Sequence, residues 1–160
     1  MEHIWSPWRY KYIASADKVE GCVFCRARDG RDQDFLIVHR GRLNFIILNL
    51  YPYTSGHLMI VPNEHTDSFV DVSQETTTEM IEMAKRAQAA LEAEYHPDGF
   101  NIGMNLGRSA GAGVADHIHL HIVPRWTGDA NFVSIVGETR VLPEDLTVTY
   151  EKLKKHFGNE

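Results

Sequence analysis

Apolar, β-branched runs at residues 35–38 and 44–48 flank the polar, turn-forming stretch His39-Arg-Gly-Arg42, the pattern of a β-hairpin. A third run at 57–61 follows the turn-rich 51–56 and is stopped by Pro62, which offers no N–H to a ladder. From Ser73 to Tyr95 the residues Met80, Ala84, Ala87, Leu91 and Tyr95 recur at steps of three and four, one face of a helix. Ser73 supplies its N-cap and His96-Pro-Asp-Gly99 ends it. Runs at 100–104 and 118–123 read as two more strands, joined by the glycine-rich stretch 107–113. Further on, Pro143 is placed to open a last helix in which Leu146, Tyr150, Leu153 and Phe157 share a face, closed by Gly158. The first thirty residues follow neither period and read as an irregular arm leading to a cysteine knuckle. The pattern predicts an α+β fold: an antiparallel sheet of about five strands with one long helix and a C-terminal helix packed on it.

The chain has 160 residues, 43% of them hydrophobic, which fits a single domain over 1–160, with an N-terminal arm at 1–30 and a tail and helix at 124–160. Sixteen Lys and Arg against 22 Asp and Glu give a formal charge of −6, the wrong sign for a protein whose main partner is long nucleic acid. No apolar run approaches a membrane span, and Met1-Glu-His-Ile-Trp5 does not open a secretory signal. The expected location is the cytoplasm. Two cysteines exclude a disulfide-built scaffold. Nine histidines are the unusual count, and their clustering carries the functional argument.

His117-Ile-His-Leu-His121 sets three imidazoles at period two between apolar residues. On a strand they point to one face, about 6.5–7 Å apart, while Ile118, Leu120 and Ile122 point to the other. Three buried imidazoles on one face would each need hydrogen-bond partners in an apolar layer, so a purely structural role is costly. Two chemistries remain: a catalytic metal held by histidines, or an imidazole nucleophile that attacks phosphorus while its neighbours bind the phosphate. The upstream glycines Gly107, Gly111 and Gly113 favour the second, because a backbone free to adopt positive φ turns N–H groups toward an anion.

The segment 117–123, His-Ile-His-Leu-His-Ile-Val, resembles the signature of the histidine-triad superfamily of nucleotide hydrolases and transferases at all seven positions. Phe45-Ile-Ile-Leu-Asn49 and Ser55-Gly-His-Leu-Met-Ile-Val-Pro62 resemble that superfamily's nucleoside-binding strands. Trp5-Ser-Pro-Trp-Arg9, Ala110-Gly-Ala-Gly-Val-Ala-Asp116 and residues 124–132 are similar to its bacterial diadenosine tetraphosphate phosphorylase branch. The resemblance implies that His119 is the nucleophile, that His121 bonds the α-phosphate or bridging oxygen, and that His117 sits behind them as an orienting residue or metal ligand. It implies that Asn49 binds the ribose, Asn105 reaches the phosphate side, and the backbone of Gly111, Ala112, Gly113 and Val114 cradles the phosphate. His57 fits either a site role or a buried strand position. The phosphate loop departs from the superfamily: Ala112-Gly113 stands where hydrolases carry Gln followed by Ser or Thr, and phosphorylases Gly-Ser.

Cys22-x-x-Cys25 with His65 and His117 corresponds to a structural zinc set of related bacterial proteins, a Cys2His2 group suited to tetrahedral coordination; reduced buried thiols are the alternative. A divalent metal such as Mg2+ accompanying the polyphosphate is a second implied cofactor. Trp5, Trp8, Tyr10 and Tyr12 read as core or subunit contacts, and Trp126 as a residue reaching the nucleotide in its own site or the neighbouring subunit's, in a homodimer. The activity implied is phosphorolysis of a dinucleoside tetraphosphate (diadenosine tetraphosphate plus orthophosphate to ADP plus ATP). Hydrolysis of the same substrates, adenosine 5'-phosphoramidate cleavage and a non-catalytic adenine-nucleotide sensor are the alternatives.

Overall fold

The computed structural model describes residues 21–130 and 143–158; Trp5, Trp8, Tyr10 and Tyr12 lie outside the described residues. Strands β1 (Ile37–Arg40), β2 (Asn44–Leu48), β3 (Leu58–Pro62), β4 (Gly99–Met104) and β5 (Leu120–Arg125) form one sheet in the order β1-β2-β3-β5-β4. Every neighbouring pair is antiparallel. Helices α1 (Val23–Asp29) and α2 (Asp32–Phe35) precede the sheet, α3 (Gln74–Tyr95) joins β3 to β4, and α4 (Leu146–Lys154) follows β5. The α+β class read from the pattern is the one the chain adopts. No described helix is long and apolar enough to cross a membrane.

β2 and β3 are buried at every position, because the sheet is covered on both faces. Toward one face Ile46, Leu48, Leu58, Ile60, Leu120 and Ile122 meet Met80, Met83, Ala84, Ala87 and Leu91 of α3, with Tyr150 and Leu153 of α4 and Phe157 completing the cluster. Toward the other, Phe45, Ile47, Met59 and Val61 meet Phe24 and Ala27 of α1. The alternation along each strand thus serves two cores rather than a core and a solvated face. Gly56 has φ +79°, and a Cβ there would lie 2.7 Å from Leu91 Cδ2. This glycine lets the turn leading to His57 lie flat on α3.

The helix at 73–95 forms as expected, with the Ser73 side chain accepting from Thr76 N–H and His96 leaving it at φ 46°. Other boundaries differ. The arm is not irregular throughout: Cys22 stands at the N-cap of α1, and its two buried residues, Phe24 and Ala27, lie one turn apart. The run at 35–38 enters the sheet only at Ile37, because α2 occupies residues through Phe35 and Leu36 turns the chain at φ 58°. Asp145, not Pro143, caps the last helix, accepting from Thr147 N–H at 2.8 Å. β5 begins at Leu120 rather than at 118. Its ladder with β3 ends at Ile60 paired with Leu120, two residues before Pro62, which has no N–H to extend it. The carbonyl of Pro62 is instead used by the His117 ring, Nε2 to O at 2.9 Å.

One carboxylate fixes the β1–β2 hairpin to α3. Glu79 accepts from Arg42 N–H (2.9 Å), Leu43 N–H (2.8 Å) and the Asn44 side-chain amide (2.7 Å), and Asn44 is fully buried. Partial burial works against the Glu79 charge, yet these donors hold its pKa below the ordinary value. Replacing Glu79 by Ala leaves the donors unpaired and should lower folding stability by about 2 kcal/mol; a urea midpoint equal to that of the parent would show that the clamp carries no load.

Candidate active site and metal centre

The face of the sheet beneath α1 forms the floor of an open cleft. Ile47 and Met59 lie on its floor, while Val23, Phe24 and Ala27 of α1 and Phe35 supply an apolar wall. The polar lining comes from Asn49, Asn105, His119, His121, Tyr51, Tyr53 and the loop residues Gly111, Gly113 and Val114. No lysine or arginine is among the lining residues that the structure describes. One side is apolar enough for an aromatic base, and the other carries nitrogen donors and acceptors.

His117 and His119 lie before the start of β5 and His121 on it; each imidazole has its own setting, and the partners of each determine where its proton sits. His119 Nδ1 lies 2.9 Å from the carbonyl oxygen of His117. A carbonyl accepts and never donates, so Nδ1 carries the proton and Nε2 keeps a lone pair. His57 Nδ1 accepts from Tyr53 N–H at 3.1 Å, which leaves its proton on Nε2, 2.9 Å from His121 Nδ1. His121 Nδ1 therefore accepts, and its Nε2 bears the hydrogen. Two rings with centroids 4.7 Å apart thus carry opposite functions: His119 offers a lone pair, His121 a donor. Phe24 packs against the rings of His119 and His117, with centroids 4.9 and 5.5 Å away. Desolvation lowers the pKa of His119, and desolvation with the neighbouring His119 pushes His121 down to about 4. Both rings are neutral at physiological pH.

In the glycine-rich loop Gly107 and Gly111 adopt φ +82° and +93°, while Gly113 does not take up a positive φ. The loop folds on itself: Gly111 N–H donates to Arg108 O (3.0 Å), and Ala110 and Ala112 N–H both donate to Gly107 O (3.2 and 3.3 Å). Those donors are used internally, so the cradle read from the sequence narrows to the N–H groups of Gly113 and Val114. Ala112 is 8% exposed and is not a lining residue. Asn49 forms a local turn, its Oδ1 accepting from Tyr51 N–H at 2.9 Å. Trp126 does not line the cleft of its own chain; it lies in a turn where its backbone N–H donates to Asp129.

Behind the histidines a second cluster forms. The donor atoms of Cys22, Cys25, His65 and His117 all lie within 4.8 Å of one another. Cys22 Sγ and Cys25 Sγ stand 3.2 and 3.7 Å from His117 Nδ1, Cys25 Sγ 3.3 Å from His65 Nδ1, and the two Nδ1 atoms 3.3 Å apart. Zn–N of about 2.0–2.1 Å and Zn–S of about 2.3 Å require tetrahedral edges of roughly 3.3–3.8 Å, so the set fits a tetrahedral cation. The tautomer agrees: Pro62 O obliges His117 Nε2 to carry the hydrogen, leaving Nδ1 free to ligate.

The family model of the HIT domain matches residues 31–128. The chain belongs to the HIT family. The AP-4-A phosphorylase of Mycobacterium tuberculosis is 35% identical over 168 residues, spanning 100% of this chain and 86% of that protein. An uncharacterized HIT-like protein of Saccharolobus solfataricus is 31% identical over 112 residues, 70% of this chain and 79% of its own length. Among solved structures, a Zn-bound histidine triad family protein from Mycobacterium smegmatis superposes with a TM-score of 0.71 at 32% identity, covering 86% of this chain and 93% of that one. Helix α1 precedes the matched HIT span, yet it brings Val23, Phe24 and Ala27 to the cleft and sets both cysteines in the metal cluster.

Sequence reasoning passed over Phe24, Tyr53 and Phe35 and left His57 open. The signal for His57 was its place beside Asn49 in the flanking loop; for Phe24 it was its position between two cysteines.

The depressed pKa of His121 predicts a pH signature. The unfolded imidazole, with a pKa of about 6.5, takes up its proton before the folded one, so this contribution to stability is complete above about pH 6.5. It drains as the pH falls toward 4, by up to about 3 kcal/mol. Denaturant midpoints should fall across that window and fall less in His121→Gln; equal slopes would contradict the neutral, buried ring.

Proposed function

We propose that this HIT protein is a nucleotidyl-histidine enzyme acting on dinucleoside polyphosphates, with diadenosine tetraphosphate phosphorolysis as its reaction. The observation that carries this reading is the pairing of the His119 lone pair with the His121 Nε2–H in a cleft that also offers an apolar wall and free backbone donors. The similarity to an AP-4-A phosphorylase supports the substrate class.

In the first step His119 Nε2 attacks the α-phosphorus in line. A P–N bond forms, the P–O bond to the rest of the polyphosphate breaks, and His121 donates a hydrogen bond to the α-phosphate or the departing bridging oxygen. Gly113 and Val114 N–H face the equatorial oxygens, Asn105 supports the phosphate side, and Asn49 holds the ribose. In the second step an orthophosphate oxygen attacks the same phosphorus and the P–N bond breaks. ADP is formed and His119 is returned with its lone pair. Ala112-Gly113 departs from the hydrolase and the phosphorylase pattern alike; in the second reading water resolves the intermediate and AMP replaces ADP.

Cys22, Cys25, His65 and His117 hold zinc in this proposal. The ion would supply a fixed tether between the N-terminus of α1 and the carbonyl-bearing residue that orients His119. Strand β4, at the edge of the sheet with Ile102 47% exposed, is the pairing surface of the proposed homodimer.

Diadenosine tetraphosphate incubated with and without orthophosphate and resolved by anion exchange should give ADP and ATP only when phosphate is present. AMP and ATP in both cases would select the hydrolase. His119→Asn should reduce turnover by about three orders of magnitude while retaining nucleotide binding, and near-parental rates would refute the nucleophile.

The purified chain should hold about one zinc per protomer, and chelation should lower its melting temperature by several degrees before turnover is lost. Immediate loss of activity at an unchanged melting temperature would favour a catalytic metal instead.

A further inference from the structure

We propose that Arg108 grips the phosphates beyond the one attacked by His119, and so sets the polyphosphate length this protein prefers; the inference rests on the nucleotidyl-transfer reading above. A dinucleoside tetraphosphate carries several negative charges outside the reacting phosphate, yet among the described residues no lysine or arginine lines the cleft. Across residues 105–116 Arg108 is the one lysine or arginine.

Its place is held by the fold of the loop. Asn105 and Gly111, which both line the cleft, bracket it. The short 3-10 turn Arg108–Ala110 is closed by the hydrogen bonds converging on Gly107 O and by Gly111 N–H donating to Arg108 O. The side chain is exposed, and its guanidinium has no hydrogen bond, ion pair or ring contact among the described residues, whereas Arg28, Arg31, Arg40 and Arg125 are all engaged with carboxylates. An arginine with no structural partner among the described residues, on a hydrogen-bonded loop flanked by residues that line the cleft, suits the bidentate geometry of phosphate oxygens. It precedes Gly113 and Val114, whose N–H groups are assigned to the α-phosphate, along the loop, and in this proposal its contribution should grow with the number of phosphates beyond that one.

The test compares two substrates that share the α-phosphate chemistry: diadenosine tetraphosphate and the 4-nitrophenyl ester of AMP, whose leaving group carries no phosphate. In Arg108→Gln the ratio of their kcat/KM values should fall about tenfold against the tetraphosphate. Arg108→Lys should recover part of the loss, and the parental ratio should shrink as salt is raised. The melting temperature should not move. An unchanged ratio, or an equal loss on both substrates, would overturn the role of Arg108 while leaving the nucleophile in place. A parent protein that turns over neither substrate would remove the nucleotidyl-transfer reading, and the Arg108 assignment with it.

Discussion

A neutral imidazole has one proton and two nitrogens, and the chemistry of this cleft depends on which nitrogen of each ring holds it. The backbone carbonyl of His117 obliges His119 to keep its lone pair on Nε2, and the amide of Tyr53, acting through His57, obliges His121 to carry its hydrogen there. Neither assignment needs a charge; each follows from a partner that can only accept or only donate. The interrupted β3–β5 ladder makes this possible. Because Pro62 cannot extend the pairing, the chain from 117 to 119 runs outside the ladder, where the Pro62 carbonyl takes the His117 ring and the His117 carbonyl takes the His119 ring.

The same strands serve stability and the site. On β2 and β3 alternate side chains enter the α3–α4 core, and those between them face α1 and the cleft. Met59 pairs with His121 across the ladder, so the ring that presents a donor is set on a strand buried on both sides. The opposite wall depends on α1, a helix of seven residues, too short to be stable alone. Phe24 and Ala27 bury it against Ile37 and Phe45, and the cysteines at its first turn meet His65 and His117. A cation in that cluster would join the two walls of the cleft at their base, through the residue whose carbonyl orients His119.

Elements with a strong period were legible in the sequence. The helix at 73–95 and the strand at 44–48 are found where their patterns place them, because burial of a face dictates both. The short helices α1 and α2 were not, since seven and four residues hold too few turns to show a period. The start of β5 was misplaced for a different reason: apolar alternation at 118–123 continues past the point where Pro62 removes the partner strand's donor, and pairing is a property of two strands. The composition of the site was readable, as the three histidines, Asn49, Asn105 and the four metal-type ligands do converge. Tautomers were not, because they are set by backbone groups of Tyr53 and His117 that no side-chain pattern encodes. Nor was the internal closure of the loop at 107–112, which withdraws Gly111 and Ala112 from the set of open donors.

In the proposed reaction burial imposes a trade on a site that attacks an anion. Desolvation keeps His119 and His121 neutral, which preserves the nucleophile but removes the cations that would draw a phosphate in, and the chain as a whole carries −6. Among the described lining residues attraction comes from dipoles: the N–H groups of Gly113 and Val114, the Nε2–H of His121 and the amide of Asn105. Such dipoles are weak in water and stronger beside the apolar surface of Phe24, Ile47 and Met59, which lowers the local dielectric. The apolar wall and the neutral histidines are therefore one design: the wall that lowers the imidazole pKa values also makes uncharged donors sufficient at the reacting phosphorus. Cationic recognition is then needed only outside the wall, where a guanidinium can stay hydrated until the substrate arrives.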